Sequence, residues 1–316
     1  MKKINLKTCI FHITSFMMIL VVMLVSGCVE KKDETVTVLA PTGTPTLGIA
    51  KALEEDFIDE KIVSGADLLR SGFTKAEYDI IVAPVNLGAK FYNENENFAY
   101  QLYETIVWGN YYLASTKPME AIESINGKKV TVFGKNSTPD VVLRTLINAL
   151  GLQVELEYVD DVNTANQFLM SGKAEIIVSA EPSITKISSQ KDIYTLDLQQ
   201  EWKKLTANLS LPQAGIFVKK DRLANASVKK ALEKMIQSVQ MATTAKAELV
   251  KSACSIDSSL DKIGQDTLNK AIDKCNLRVD VNQKEAINQY FSKVIELKLA
   301  PTVGGKLPDE NFYVQK

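Results

Sequence analysis

From residue 36 to about 220, short β-branched apolar runs alternate with segments whose apolar positions recur every three to four residues. That is the pattern of strands alternating with helices. Strands are predicted at 36–40, 61–64, 79–83, 130–133, 154–158, 174–178 and 214–218. Longer extended stretches at 98–107 and 111–115 are broken by Gly109. Helices are predicted at 46–53, 66–72, 139–150, 162–170 and 183–188, and Gly151 stands where a left-handed residue ends the third. Beyond 220 the sequence is mainly helical. Val228, Leu232, Met235, Ile236 and Val239 share one helical face, and Ile287, Tyr290, Phe291, Val294 and Leu297 share another. Both read as core stripes. The alternation predicts an α/β fold with mainly parallel sheets flanked by helices.

The pattern occurs twice. Val36-Thr37-Val38-Leu39-Ala40-Pro41-Thr42-Gly43-Thr44-Pro45 returns as Val130-Thr131-Val132-Phe133-Gly134-Lys135-Asn136-Ser137-Thr138-Pro139. Asp79-Ile80-Ile81-Val82-Ala83 returns as Glu175-Ile176-Ile177-Val178-Ser179. Valine-rich strands resemble one another cheaply, so the weight lies on two matches in the same order. They predict two similarly built lobes: residues 35–115 with 214–316 as lobe 1, and 116–213 as lobe 2. The helical tail is expected to pack on the first lobe. Two chain crossings, near 115–117 and 211–213, then form a hinge that permits closure around a ligand. In each copy Thr is expected at the helix N-cap, with Pro at the first helical position.

The first residues read as an address. Lys2, Lys3 and Lys7 precede an unbroken apolar run at 16–25. Ten residues fall short of the roughly 20 that a helix needs to span a bilayer, so 1–27 is predicted to be a signal peptide. It ends in Leu24-Val25-Ser26-Gly27-Cys28, which resembles the bacterial lipobox. Cys28 is then lipidated and becomes the new N-terminus, 28–34 is a tether, and the acyl chains hold the protein to a membrane. The remaining 289 residues carry 34 basic and 38 acidic side chains, a net charge of −4. That balance offers no footprint for nucleic acid. His12 is the sole histidine and lies in the signal, which removes His triads, bases and metal ligands from the mature chain. Cys254 and Cys275 remain, as a possible disulfide of an extracytoplasmic protein or as two buried thiols. Two cysteines without histidine make a poor zinc site, so no metal is expected.

Loops after the repeated strands hold the candidate ligand-binding residues. Thr42, Gly43 and Thr44 precede one helix, and Asn136, Ser137 and Thr138 the other; hydroxyls beside free helix N–H groups suit an anionic or acceptor-rich ligand. Asn86 and Glu181 follow the second pair of strands. Trp108 and Asn110 flank Gly109 near the presumed hinge, with Tyr111 and Tyr112 beyond, and these rings favour a planar solute. None of Arg70, Arg144, Arg222 and Arg278 sits in these loops, which disfavours a phosphate ester.

The lipobox, the Thr-Gly-Thr-Pro loop, Asp79–Pro84, Ser179-Ala180-Glu181-Pro182 and Gly304-Gly305-Lys306-Leu307-Pro308-Asp309 together resemble one family. It is the solute-binding lipoproteins of ABC importers, in the branch for nitrate, sulfonates, taurine and thiamine-pyrimidine precursors. The likeness implies a two-lobed periplasmic-binding-protein-like fold of type II, with a small anionic or heterocyclic solute in the interlobe cleft. It implies partners in an ABC permease and its cytoplasmic ATPase, an extracytoplasmic monomer on a lipid anchor, no cofactor and no catalysis. The chain has no Walker-type phosphate loop, consistent with a binding component. An extracytoplasmic enzyme, or a surface sensor or adhesin on the same fold, is the alternative.

Overall fold

The computed structural model describes residues 33–206 and 208–315, so the predicted signal peptide and Cys28 lie outside the described residues. The first lobe is built on β1 (Val36–Pro41), β2 (Ile58–Val63), β3 (Ile80–Pro84), β4 (Tyr100–Val107) and β10 (Ala214–Lys219), in the order β2-β1-β3-β10-β4. The second is built on β5 (Tyr111–Ser115), β6 (Lys129–Phe133), β7 (Glu155–Val159), β8 (Ile176–Ala180) and β9 (Tyr194–Asp197), in the order β7-β6-β8-β5-β9. In each sheet three strands pair in parallel, and β10 or β5 joins them antiparallel. The repeated sequences therefore occupy equivalent places: β1 matches β6, and β3 matches β8. Both faces of these central strands are covered, which is why β3 and β8 read as continuous apolar runs.

Helices cover both sheets: α1 (Thr44–Ile49), α2 (Ala66–Lys75) and α3 (Val85–Glu94) in the first lobe, and α4 (Thr138–Leu150), α5 (Val162–Ser171), α6 (Ser183–Ser188) and α7 (Leu198–Thr206) in the second. Helix α3, strand β9 and helix α7 were not predicted. Asn86, expected in a loop, stands in the first turn of α3.

The first crossing differs from expectation. Tyr111–Ser115 pairs with β8 and β9, so the chain changes lobe at Trp108–Asn110 rather than near 115–117. Gly109, at φ 71°, turns it there. A Cβ at that position would collide with the Gln199 amide, so the turn needs glycine for both dihedral and space. The return passes through Gln213, whose N–H donates to Val107 O at 2.9 Å and ties the two crossings together.

The tail also differs. Helices α8 (Ala226–Thr244), α9 (Lys246–Ile256), α10 (Ser258–Ile263) and α11 (Gln265–Ala271) follow β10, and α8 and α9 pack on α1 of the first lobe. Helix α12 (Gln283–Glu296) instead packs on α4 of the second lobe. Its Tyr290 ring lies 5.4 Å from that of Trp202, and Asn148 Nδ2 donates to Leu297 O at 3.0 Å. Turns at Ala300–Val303 and Glu310–Phe312 then bring the chain back onto α3 and β4. An apolar stripe states that a helix buries one face but not against which lobe. One apolar cluster consequently runs from Leu39, Ile81 and Phe217 of the first lobe through Tyr290 and Phe291 to Val130 and Trp202 of the second.

Cys254 and Cys275 are both free thiols, so the possible disulfide is not formed. Cys275 is buried beside Thr44 and Glu181, whereas Cys254 is half-buried near Asp257 and Asp261. Among the described residues no helix is long and apolar enough to cross a membrane.

Candidate ligand site between the lobes

Strands β1, β3, β6 and β8 end at the boundary between the lobes, and the loops after them enclose a cavity of about 130 Å³. One buried water needs about 10–15 Å³ on this measure, so the space suits a small organic molecule. Its wall combines Thr42, Gly43 and Thr44 after β1, Gly134 and Ser137 after β6, Glu181 after β8, and Asn110 and Gln213 from the two crossings. Tyr111 and Phe133, 6.0 Å apart and edge-on, belong to it too. Six of the ten candidate residues thus come together: Thr42, Gly43, Thr44, Asn110, Ser137 and Glu181.

The two repeated threonines do not cap their helices. The N-cap positions are Gly43 and Ser137, neither with a capping side-chain bond, and Thr44 and Thr138 are first helical residues. Their hydroxyls cross between the lobes instead. Thr44 Oγ1 donates to Glu181 O at 2.7 Å and accepts from Asn110 Nδ2 at 2.7 Å. Thr138 Oγ1 reaches Asn86 Oδ1 at 3.0 Å and Gln213 O at 3.2 Å. Thr42 Oγ1 donates to buried Asp257 at the start of α10.

Four candidates fall outside the cavity wall. Thr138 and Asn86 form the interlobe pair just described, and Asn86 Nδ2 also donates to Asn136 O at 3.1 Å. Asn136 lines an outer recess with Arg70, Lys90 and Lys135, which adjoins the cavity through Ser64, Gly65, Ala66, Gly134 and Asp160. There Arg70 Nη2 donates across the lobes to Lys135 O at 2.7 Å. Trp108 is a core tryptophan: its Nε1 donates to Arg278 O at 3.1 Å, and the Arg278 guanidinium lies 4.7 Å from its ring. A glycine beside a tryptophan marks a tight turn equally well in a core or a site, so the sequence could not separate the two. Residues missed by sequence reasoning include Ser183, Asp160, Asp161 and Phe133; only Phe133, inside the repeat, carried a signal.

Two polar groups of the wall are incompletely satisfied. Glu181 is 4% exposed; its Oε1 accepts from Thr185 Oγ1 at 2.9 Å, while Oε2 is buried without a partner. Asn110 Oδ1 is likewise buried and unpartnered. Burial pushes the Glu181 carboxyl above its ordinary value, with the Thr185 hydroxyl and the nearby Lys274 charge pulling the other way. Burial also raises the Cys275 thiol strongly, leaving it a poor nucleophile. Among the described residues no three His, Cys, Asp or Glu side chains gather as a metal-holding group.

This is the fold of the periplasmic binding proteins. A crystal structure of an ABC transporter protein from Parabacteroides distasonis is 23% identical, with a TM-score of 0.71 over 90% of this chain and 100% of that one. The ligand-binding component of an ABC-type import system from Staphylococcus aureus, solved with zinc bound, is 11% identical, with a TM-score of 0.69 over 89% and 96%. An alkanesulfonate-binding protein from Xanthomonas axonopodis pv. citri, bound to MOPS, is 11% identical, with a TM-score of 0.63 over 84% and 93%. At such identities the likeness is one of fold. No curated protein matches the sequence. The model of the family described as "Menaquinone biosynthesis" matches residues 107–296, more than half the chain, and the chain belongs to that family. The match runs from the first crossing through the second lobe to the end of α12.

Proposed function

We propose that the protein is the extracytoplasmic solute-binding component of an ABC importer. It takes a small solute between its lobes and hands it to a membrane permease driven by a cytoplasmic ATPase. The observation that carries this reading is the cavity itself, enclosed by loops of both lobes and by both crossings. ABC import proteins among the structures of the same fold support it. The predicted lipid on Cys28 would keep the protein near its permease, and the chain acts as a monomer with no cofactor.

The family description favours a second reading, an enzyme acting on a small molecule in the same cavity. Glu181, buried at the wall with a raised pKa, is the group that could carry a proton there. Dialysis of the protein against a metabolite mixture, followed by mass spectrometry, separates the two. Recovery of one solute, unchanged and in proportion to protein, is the expected result. Its conversion to a new product would replace transport with catalysis. Fractionation tests the anchor: the native chain should pellet with membranes and Cys28→Ser should be released. A salt-washed pellet that still holds the mutant would remove the anchor from the proposal.

A further inference from the structure

We propose that the cavity takes a compact, largely apolar solute bearing N–H donors and no negative charge, an amine or amidine rather than a carboxylate, sulfonate or phosphate. The inference rests on the cavity being a solute site and names the chemistry of its occupant.

Charge is the first observation. Among the described residues lining the cavity there is no lysine, arginine or histidine, whereas Glu181, Asp160 and Asp161 all belong to its wall. An anion enclosed there would lose its hydration with no counter-charge in contact and carboxylates beside it. The cations of this region, Arg70, Lys90 and Lys135, line the adjoining outer recess and not the cavity itself. Lys274 acts on Glu181 through its field but is exposed and does not line the cavity.

The helix starts that could have held an anion are the second observation. The loop before α4 is already occupied by the protein's own carboxylate: Asn136 N–H donates to Asp140 Oδ2 at 2.7 Å. Asp140 is fully buried and paired with Arg144 at 2.8 Å, and it also accepts from Tyr158 at 2.9 Å. Asp161 takes the Asn163 and Thr164 N–H groups at the start of α5. The starts of α4 and α5, places that favour negative charge, are thus filled from within. The start of α1, with N-cap Gly43 and no acid in its first turn, has no such carboxylate, and there the Thr44 hydroxyl is spent on Glu181 O.

The third observation is what remains unfilled. Glu181 Oε2 and Asn110 Oδ1 are acceptors, each buried and without a partner. Buried polar groups are normally bonded, and what these two lack is a donor. The rest of the wall, including Pro41, Pro84, Val63, Leu69 and Tyr111, suits a hydrocarbon body. A solute with an apolar frame and one or two N–H groups matches both halves.

An isosteric charge series tests this: benzylamine, benzamidine, benzyl alcohol, benzoate and benzenesulfonate, each measured by thermal shift and calorimetry. The amine and amidine should stabilise the protein, and the two anions should not. Glu181→Gln, which keeps the shape of the wall, should weaken amine binding by about 10- to 150-fold, the range for one lost hydrogen bond to a charged group. Should that variant not fold, the wild-type series still decides the sign of the charge. Anions that bind as well as the amines overturn the inference and leave the cavity reading standing. Amine binding that survives Glu181→Gln overturns it as well, as does silence from all five probes. Ser64→Trp, at an exposed position on the rim, checks the place: amine binding unaffected by that obstruction puts the site elsewhere and overturns the cavity reading itself.

Discussion

Thr138, at the start of α4 in the second lobe, hydrogen-bonds Asn86, at the start of α3 in the first, with 3.0 Å between Oγ1 and Oδ1. Thr44 makes the reciprocal link, from the first lobe to Glu181 O of the second at 2.7 Å. The repeated Thr-Pro pairs therefore clasp the lobes together with bonds that a solute need not supply.

Thr138→Val keeps the β-branch and removes the hydroxyl, leaving Asn86 Oδ1 without its donor. Stranding a buried acceptor costs about 1–3 kcal/mol, so urea denaturation should show a lower midpoint. The cavity exists with this clasp formed, so solute affinity should fall as the arrangement that holds the solute is weakened. A midpoint equal to the parent's would mean that the clasp contributes nothing.

Glu181 makes stability depend on pH in a direction opposite to that of most carboxylates. Burial raises its folded value above the ordinary 4.5, so between the two values the native state holds more protons than the unfolded state. Stability from this group is full below about pH 4.5 and declines as pH rises through the folded value. Glu181→Gln should therefore melt higher than the parent at pH 8, and the gap should close as pH falls below 4.5. A gap constant with pH would show that ionisation of Glu181 is not its source.

Gly109 and Gly127 both have positive φ, at 71° and 73°, but only Gly109 is crowded. Gly127→Ala should cost about 1–2 kcal/mol, the left-handed penalty alone. Gly109→Ala meets Gln199 as well and must shift the crossing, so it should cost more, up to about 5 kcal/mol. Equal losses in the two variants would deny the crossing its steric requirement.

Cys254 and Cys275 should both titrate as thiols. Residues 35–316, produced without signal or tether and denatured without reductant, should give two equivalents with Ellman's reagent. In the folded protein Cys275 should be silent, being buried with its thiol pushed far up, and Cys254 should react slowly. Fewer than two equivalents after denaturation would restore the bridge.

Much of the fold was legible in residue order, because strand and helix periods are local properties. The matched pairs Val36–Pro45 with Val130–Pro139, and Asp79–Ala83 with Glu175–Ser179, marked the equivalent strands of two sheets and the loops that meet at their ends. Tertiary structure alone decided which partners those pieces took. The Trp108 indole packs on Arg278, 170 residues away, and Thr138 spends its hydroxyl on Asn86 and Gln213. Helix α12, whose stripe showed only that one face is buried, lies on the second lobe through Tyr290 and Trp202. The chemistry of the cavity belongs to the same class of facts. The helix starts were visible in the sequence as places for an anion, but Asp140 filling one of them from within was not. Long-range contacts depend on how whole surfaces fit, and no local pattern carries that information.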